Sequence, residues 1–299
     1  MSFCSPITGN NDVTLLKKLQ AKQLIHDWKH FQIDITEELN RHEEIYLYQC
    51  NQTQVKFFTP FDIAGSSKLY EQLQKFDWYY MPNKWEHQLA LRDLLGCKDI
   101  LEVGCASGSF VKSGIDAGLN IKGIELNEAA VTAAQQKNYP VERLDLKEAA
   151  NLYRESLDGV CSFQVLEHVP NPKDFIKWSI QMLKPGGKLI YCVPNSESFL
   201  KYQYNLLDMP PHHMTQWSDG SFRALEKIFS IKLEKVVFEP LAQYHVSSYL
   251  AAYSSRFRSA SLGKLLFNGY TLPLYEKCLN LGLRKLLTGQ SLYVRFSKV

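Results

Sequence analysis

The chain has 299 residues, 45% of them hydrophobic and 22% charged, with a formal net charge of +3 at pH 7. That length supports a sizeable core and one or two domains, and the composition is globular. The charge balance, with no basic stripe interleaved with aromatics, excludes a nucleic-acid partner; no apolar run is long enough to span a bilayer; and the seven cysteines, odd in number and widely spaced, read as reduced thiols of a cytoplasmic protein.

In chain order, residues 1–85 read as an N-terminal cap. Their first stretch lacks the charged-then-apolar pattern of a signal peptide. The spacing of "NDVTLLKKLQAKQLIHDWKH" predicts a helix. "EEIYLYQC" and "QTQVKFF" read as two strands around a turn at Asn51–Gln52. "SSKLYEQLQKF" opens a helix capped by Ser66 or Ser67.

Residues 86–240 alternate strand and helix. The strands are "DILEVG", "IKGIEL", "VERLDL", Gly159–Gln164 and "KLIYCVPN", with "IKLEKVVFEP" last. Between them lie a helix ending at Gly118, the alanine-rich "NEAAVTAAQQKN", "EAANLYRE", "PKDFIKWSIQMLKPGG" stopped at Pro185–Gly187, and "DGSFRALEKIF". This alternation predicts an α/β fold with a mainly parallel sheet and helices on both faces. Residues 241–299 read as a helical insertion followed by "SLYVRFSKV", a final strand that returns to the sheet. From Ala251 onward, eight lysines and arginines face a single acid, Glu276: a solvated basic face, or a site for an anionic substrate or an acidic membrane surface.

The stretch "LEVGCASGSF" puts Gly104 and Gly108 where the first core strand turns into its helix, with Ala106 and Ser107 small between them. Ligands of such sheets bind beyond the carboxyl ends of the strands. Glu125 ends the second strand, and a carboxylate there suits a ribose diol, of adenosine or of a nicotinamide dinucleotide alike. The turn itself separates the two. The carboxylate of Glu102 opposes a pyrophosphate but not a positively charged sulfonium, and Ser109 stands at the third-glycine position of a dinucleotide loop.

"LEVGCASGSF", "GIELN", "LDL", "SFQVLEHVPNP" and "MLKPGGKLIYCVPN", in this order, resemble the successive motifs of class I S-adenosylmethionine-dependent methyltransferases; Ala106 stands where many members have glycine. The resemblance implies a Rossmann-like sheet and S-adenosylmethionine as cofactor. It places Glu102, Gly104, Ala106 and Gly108 around the methionine part, Glu125 on the ribose, and Leu126, Asp145 and Leu146 at the adenine. Gln164, Val165 and His168 fall close to the sulfonium. Asp145 reads equally well as a helix N-cap. In related enzymes a segment like "FDWYYMPNKWEHQLAL" lids the cofactor, which brings in Tyr79 and Tyr80; Trp85 reads as packing.

The cofactor chemistry needs a nucleophile in line and, for a hydroxyl, a base. "MPPHHMTQW" follows the fifth core strand and offers His212 or His213, with His168 as a third candidate. Cys4 and Cys50 resemble halves of the zinc-ribbon knuckles of some sugar methyltransferases, but Ile7 and Thr53 occupy the second positions, so the expectation is a ribbon relic without metal. The acceptor is expected to be a small-molecule or sugar hydroxyl of a bacterial glycan or secondary-metabolite pathway, with N- or C-methylation as the variant. The C-terminal basic helices are expected to hold a phosphate on it. The rival classes are an NAD-dependent oxidoreductase and a non-catalytic cofactor-binding protein.

Overall fold

The structure, a computed structural model, describes residues 3–76, 79, 84–257 and 261–299. Strands β1 (Val13–Gln20), β2 (Glu44–Cys50) and β3 (Lys56–Thr59) form an antiparallel meander. Here the helix expected over "NDVTLLKKLQ" is corrected. Residues 13–20 are strand, paired with β2 from Val13↔Cys50 to Gln20↔Glu44, and the helix spans only Ala21–His30. The side chains of β1 are mostly exposed, so a helix there would have no stripe to bury, whereas Ala21, Leu24 and Trp28 share one buried face. Ser66 caps the helix Ser67–Leu73, its hydroxyl accepting from the Leu69 amide.

The central sheet takes β4 (Ile100–Val103), β5 (Ile121–Glu125), β6 (Val141–Arg143), β7 (Leu157–Phe163) and β8 (Leu183–Pro194). After the short β9 (Thr215–Gln216), β10 (Ile231–Pro240) and β11 (Thr288–Lys298) complete it. The order is β10-β11-β8-β7-β4-β5-β6, with β4 to β8 parallel and β11 antiparallel to both of its neighbours. The last strand thus returns to the sheet, as the sequence predicts. Alternate residues load the two faces: Leu189, Tyr191 and Val193 enter one core cluster, Ile190 and Cys192 the other. The architecture is the Rossmann-like α/β sheet that the sequence motifs imply.

One boundary moves. The helix Pro172–Met182 stops before "KPGG", which belongs to β8 and bulges, the pairing jumping from Leu157↔Leu183 to Gly159↔Lys188 with Gly186 at φ +77°. In the N-terminal part, Ile7 and Thr53 are fully buried, Cys50 is a buried free thiol and Cys4 an exposed one. Helices Val246–Phe257, Ser261–Leu266 and Thr271–Asn280 lie between β10 and β11; Leu250 and Leu279 of the first and third gather around Phe199.

β9 is absent from the sequence reading. It pairs antiparallel with β3, as Lys56↔Gln216 and Phe57↔Thr215, and so fastens the N-terminal meander to the segment after β8. At the opposite side of the sheet, Lys235 and Arg295 stand opposite each other on β10 and β11. Asp93, at the end of helix Trp85–Asp93, lies 2.9 Å from Lys235 Nζ and 3.0 Å from Arg295 Nη1, and accepts from the Tyr293 hydroxyl at 2.8 Å. Asp93→Ala leaves two like charges facing across the ladder and is expected to cost about 3 kcal/mol of stability, read as a lower urea midpoint with an unchanged slope.

Candidate active site

The chain runs outward from β4 in one direction through β5 and β6, and in the other through β7 and β8, so the carboxyl ends of β4 and β7 flank a crevice. The loop leaving β4 is left-handed three times, at Gly104 (φ +73°), Ala106 (φ +46°) and Gly108 (φ +77°). At Gly104 the reason is also steric: a Cβ there would lie 2.5 Å from Val165 Cγ2 of the loop after β7. The two loops therefore close on each other at the position of the missing side chain.

Glu125 at the end of β5 ties this loop in place. Its Oε2 accepts from the Ala106 amide at 3.0 Å and its Oε1 from the amides of Leu126 and Asn127 at 2.8 and 2.9 Å. The carboxylate is only partly buried; Oε1 is filled by its two amides and Oε2 keeps one lone pair for a ligand hydroxyl. Beside it Leu126 is exposed, a loose apolar surface. Asp145 caps the helix Leu146–Leu152 through the Lys147 amide (2.8 Å), while Leu146 packs into the core.

Glu102 lies beneath the loop, buried, with its Oε2 lacking any hydrogen-bond partner. Burial pushes its carboxyl up to about 8, Lys84 opposing and Glu125 adding to the rise. A buried carboxylate without a partner calls for a cation. The methionine end of S-adenosylmethionine carries an ammonium and a sulfonium, so the residues present fit the cofactor that the motifs imply. Gln164 follows β7 with φ +58°, and its amide reaches the buried Glu86 at 3.4 Å, a partner the sequence reading missed.

The three candidate histidines come together. His212 and His213 stack at 4.5 Å between ring centroids, and His168 lies 4.6 and 4.9 Å from them. Their hydrogen bonds distinguish them. His168 donates Nδ1–H to the His212 carbonyl at 2.6 Å, and burial lowers its pKa to about 3. His212 donates Nδ1–H to the Leu207 carbonyl at 2.8 Å while its Nε2 meets the Tyr79 hydroxyl at 3.0 Å; burial first, then the other two histidines, hold it far below the ordinary imidazole range. Tyr79 thus contacts a histidine, and Tyr80 lies outside the described residues. His213 faces a carboxylate instead, Asp208 Oδ1 at 3.1 Å from Nδ1, and its Nε2 has no hydrogen-bond partner among the described residues. The ring nitrogens of the three lie within 4.8 Å of one another, a grouping that could receive a divalent ion, but both nitrogens of His212 are already engaged.

His213, Asp208 and Glu167 line a cavity of about 430 Å³. Glu167 is buried, its Oε2 has no partner, and burial pushes its carboxyl up to about 7. The rest of the wall is rich in side-chain amides, among them Asn195, Gln203, Asn205 and Gln290, with Tyr202 and Tyr204 beside them. Lys17, Lys56 and Lys201 also border it, the last two sharing Glu197. The sequence missed Asp208, although it precedes His213 by five residues in "DMPPHH". Of the C-terminal basic residues, Arg284, which donates to the Leu241 carbonyl, and Lys285 do not line the cavity, whereas Arg256 lies 4.1 Å from the ring of Tyr202 on its wall.

A family model described as "Methyltransferase domain" matches residues 78–232. The "Ubiquinone biosynthesis O-methyltransferase" of Coxiella burnetii (strain RSA 493 / Nine Mile phase I) is 28% identical over 165 residues, 47% of this chain and 68% of that protein. The protein of the same name from Hydrogenovibrio crunogenus (strain DSM 25203 / XCL-2) is 33% identical over 104 residues, 33% of this chain and 43% of that one. A solved "SAM dependent methyltransferase from Archaeoglobus fulgidus" superposes with a TM-score of 0.45 at 18% identity, over 71% of this chain and 94% of that chain.

Gly104→Ala is expected to combine the steric overlap with Val165 and the left-handed strain, at a cost of about 2–4 kcal/mol. Gly118→Ala, at the same kind of φ but with open space around it, is expected to cost about 1 kcal/mol. Thermal melts of the two variants side by side check the difference.

Proposed function

The chain belongs to the methyltransferase domain family and is an S-adenosylmethionine-dependent methyltransferase, and from that premise we propose that it methylates a hydroxyl of a sugar-like acceptor held in the amide-lined cavity, with His213 as the base. The observation that carries this reading is the Asp208–His213 pair on the wall of that cavity.

When bound, the cofactor supplies an electrophilic methyl group on a positively charged sulfur. Glu125 holds the ribose hydroxyls, Leu126 lies against the adenine, and Glu102 faces the cationic methionine end. Asp208 accepts the Nδ1–H of His213, which fixes the tautomer that leaves Nε2 as a lone pair and stabilises the ring once it takes a proton. His168 and His212 remain neutral, and their Nδ1–H groups are committed to backbone carbonyls, so they shape the wall and do not carry the proton. Glu167, buried beside the cavity with its Oε2 unpartnered, receives a second acceptor hydroxyl. An acceptor with several hydroxyls matches side-chain amides, which donate and accept at once, and stacking surfaces such as Tyr202 and Tyr204. The O-methyltransferase names of the relatives agree with a hydroxyl as the nucleophile.

The acceptor class is tested by mass spectrometry with labelled S-adenosylmethionine and a panel of free sugars, sugar phosphates, nucleotide sugars and a catechol. Label is expected in a sugar; label in the catechol alone overturns the assignment. With that acceptor, His213→Ala is expected to lower kcat by about 100- to 1000-fold without changing cofactor affinity by calorimetry.

Glu102 sets a pH dependence. Its folded pKa of about 8 lies above the ordinary carboxyl value of 4.5, so the ligand-free protein binds the extra proton and loses stability as pH rises from about 4.5 to 8. A cation needs the ionised form, so S-adenosylmethionine affinity is expected to climb between pH 6 and about 8, by at most about tenfold per unit. Calorimetry on Glu102→Gln checks it: the climb should flatten.

A further inference from the structure

The helix Thr271–Asn280 has two apolar sides. Leu272, Tyr275 and Leu279, spaced three and four apart, pack into the cluster around Phe199. On another side Tyr270, Leu274 and Leu281 recur at intervals of four and seven, and they are 93%, 57% and 79% exposed. The chain on either side continues the pattern: Leu265 and Leu266 end the preceding helix exposed, and Leu283 and Leu286, the latter 83% exposed, follow. Aliphatic side chains this numerous and this accessible within about two dozen residues are not explained by a surface that faces water alone.

The charges on the same segment are basic but for one acid. Lys264, Lys277 and Lys285 are exposed and have no ion-pair partner among the described residues. The one acid, Glu276, accepts from the Ser247 hydroxyl at 3.0 Å. The pattern of protruding leucines with lysines between them is that of a helix lying in the interface of an anionic bilayer, where the apolar groups enter the acyl boundary and the lysines meet phosphates. Two other occupants fit less well. A second copy would bring three unpaired lysines against three, and protein interfaces draw on Trp, Tyr and Arg more than on Leu. Among the described residues no helix is long and apolar enough to cross a membrane, so the contact is peripheral.

We propose that the outer face of residues 264–286 docks this enzyme on an anionic lipid surface. The surface has a structural link to the cavity. The cluster that holds the inner stripe also packs Leu200 and Tyr202, which line the cavity wall. Docking therefore engages helices that brace the acceptor site, and it stands independently of which hydroxyl is methylated.

The test is sedimentation of the full chain with vesicles of phosphatidylcholine alone and with roughly one third phosphatidylglycerol. Pelleting is expected with the second and not the first, and it should fall in high salt. Replacing Lys264, Lys277 and Lys285 by Gln is expected to lower partitioning about 100-fold, at about fivefold per lysine. The combined Leu274→Ser, Leu281→Ser and Leu286→Ser variant is expected to abolish it. All six side chains are exposed, and unchanged melting temperature and cofactor affinity confirm that the variants fold. No pelleting on phosphatidylglycerol vesicles overturns the proposal, as does pelleting that both variants leave unchanged. A wild-type dimer that the leucine variant converts to monomer also overturns it, because the face is then covered by a second copy.

Discussion

The site depends on one backbone clasp. The carbonyl of Glu167, in the loop after β7, accepts from the amides of Met214 and Thr215 at 2.8 and 3.0 Å. The same short segment pairs with β3 and gives its Met214 carbonyl to the Phe58 amide. Further back, the Pro210 carbonyl accepts from the Trp28 indole and the Pro211 carbonyl from the Gly65 amide. A segment without regular structure of its own is thus held from both sides, by the central sheet and by the N-terminal meander. His212 and His213 sit inside that grip. Their ring orientations follow from a backbone whose polar groups have few other partners available.

This arrangement makes the N-terminal part a component of the cavity proposed to hold the acceptor. Leu16, Lys17, Leu47 and Lys56, from β1, β2 and β3, border the cavity, and Tyr79 reaches His212. The cofactor half and the acceptor half are then built on different logics. On the cofactor side, glycines and a carboxylate at the ends of parallel strands give backbone geometry and charge. On the acceptor side, side chains from distant segments converge on a loop. Acceptor choice can change with the meander and the helical insertion while the cofactor half stays as it is.

Buried carboxylates give the site its electrostatic character. Glu102 and Glu167 each have an unpartnered oxygen, one under the glycine loop and one on the cavity wall. Each costs stability while unpartnered, and in the proposed function each meets a ligand group, a cation in one case and a hydroxyl in the other.

The sequence by itself determined the sheet and the glycine turn at the end of its first parallel strand. Period-two apolar runs between helical stretches carry their own geometry, and Gly104, Ala106, Gly108 and Glu125 are local to the ends of single strands, so their spacing along the chain is their spacing in space. β1 was misread because its side chains are mostly exposed and carry no continuous face to bury, and only pairing with β2 decides between strand and helix. The limit of "KPGG" was misread because a bulge is set by the neighbouring strand. Tertiary structure alone decided which histidine faces a carboxylate, that Tyr79 reaches His212, and that Arg284 and Lys285 do not line the cavity. Those facts depend on contacts between residues such as Tyr79 and His212, or Lys56 and Gln216, whose separation along the chain carries no period and no motif.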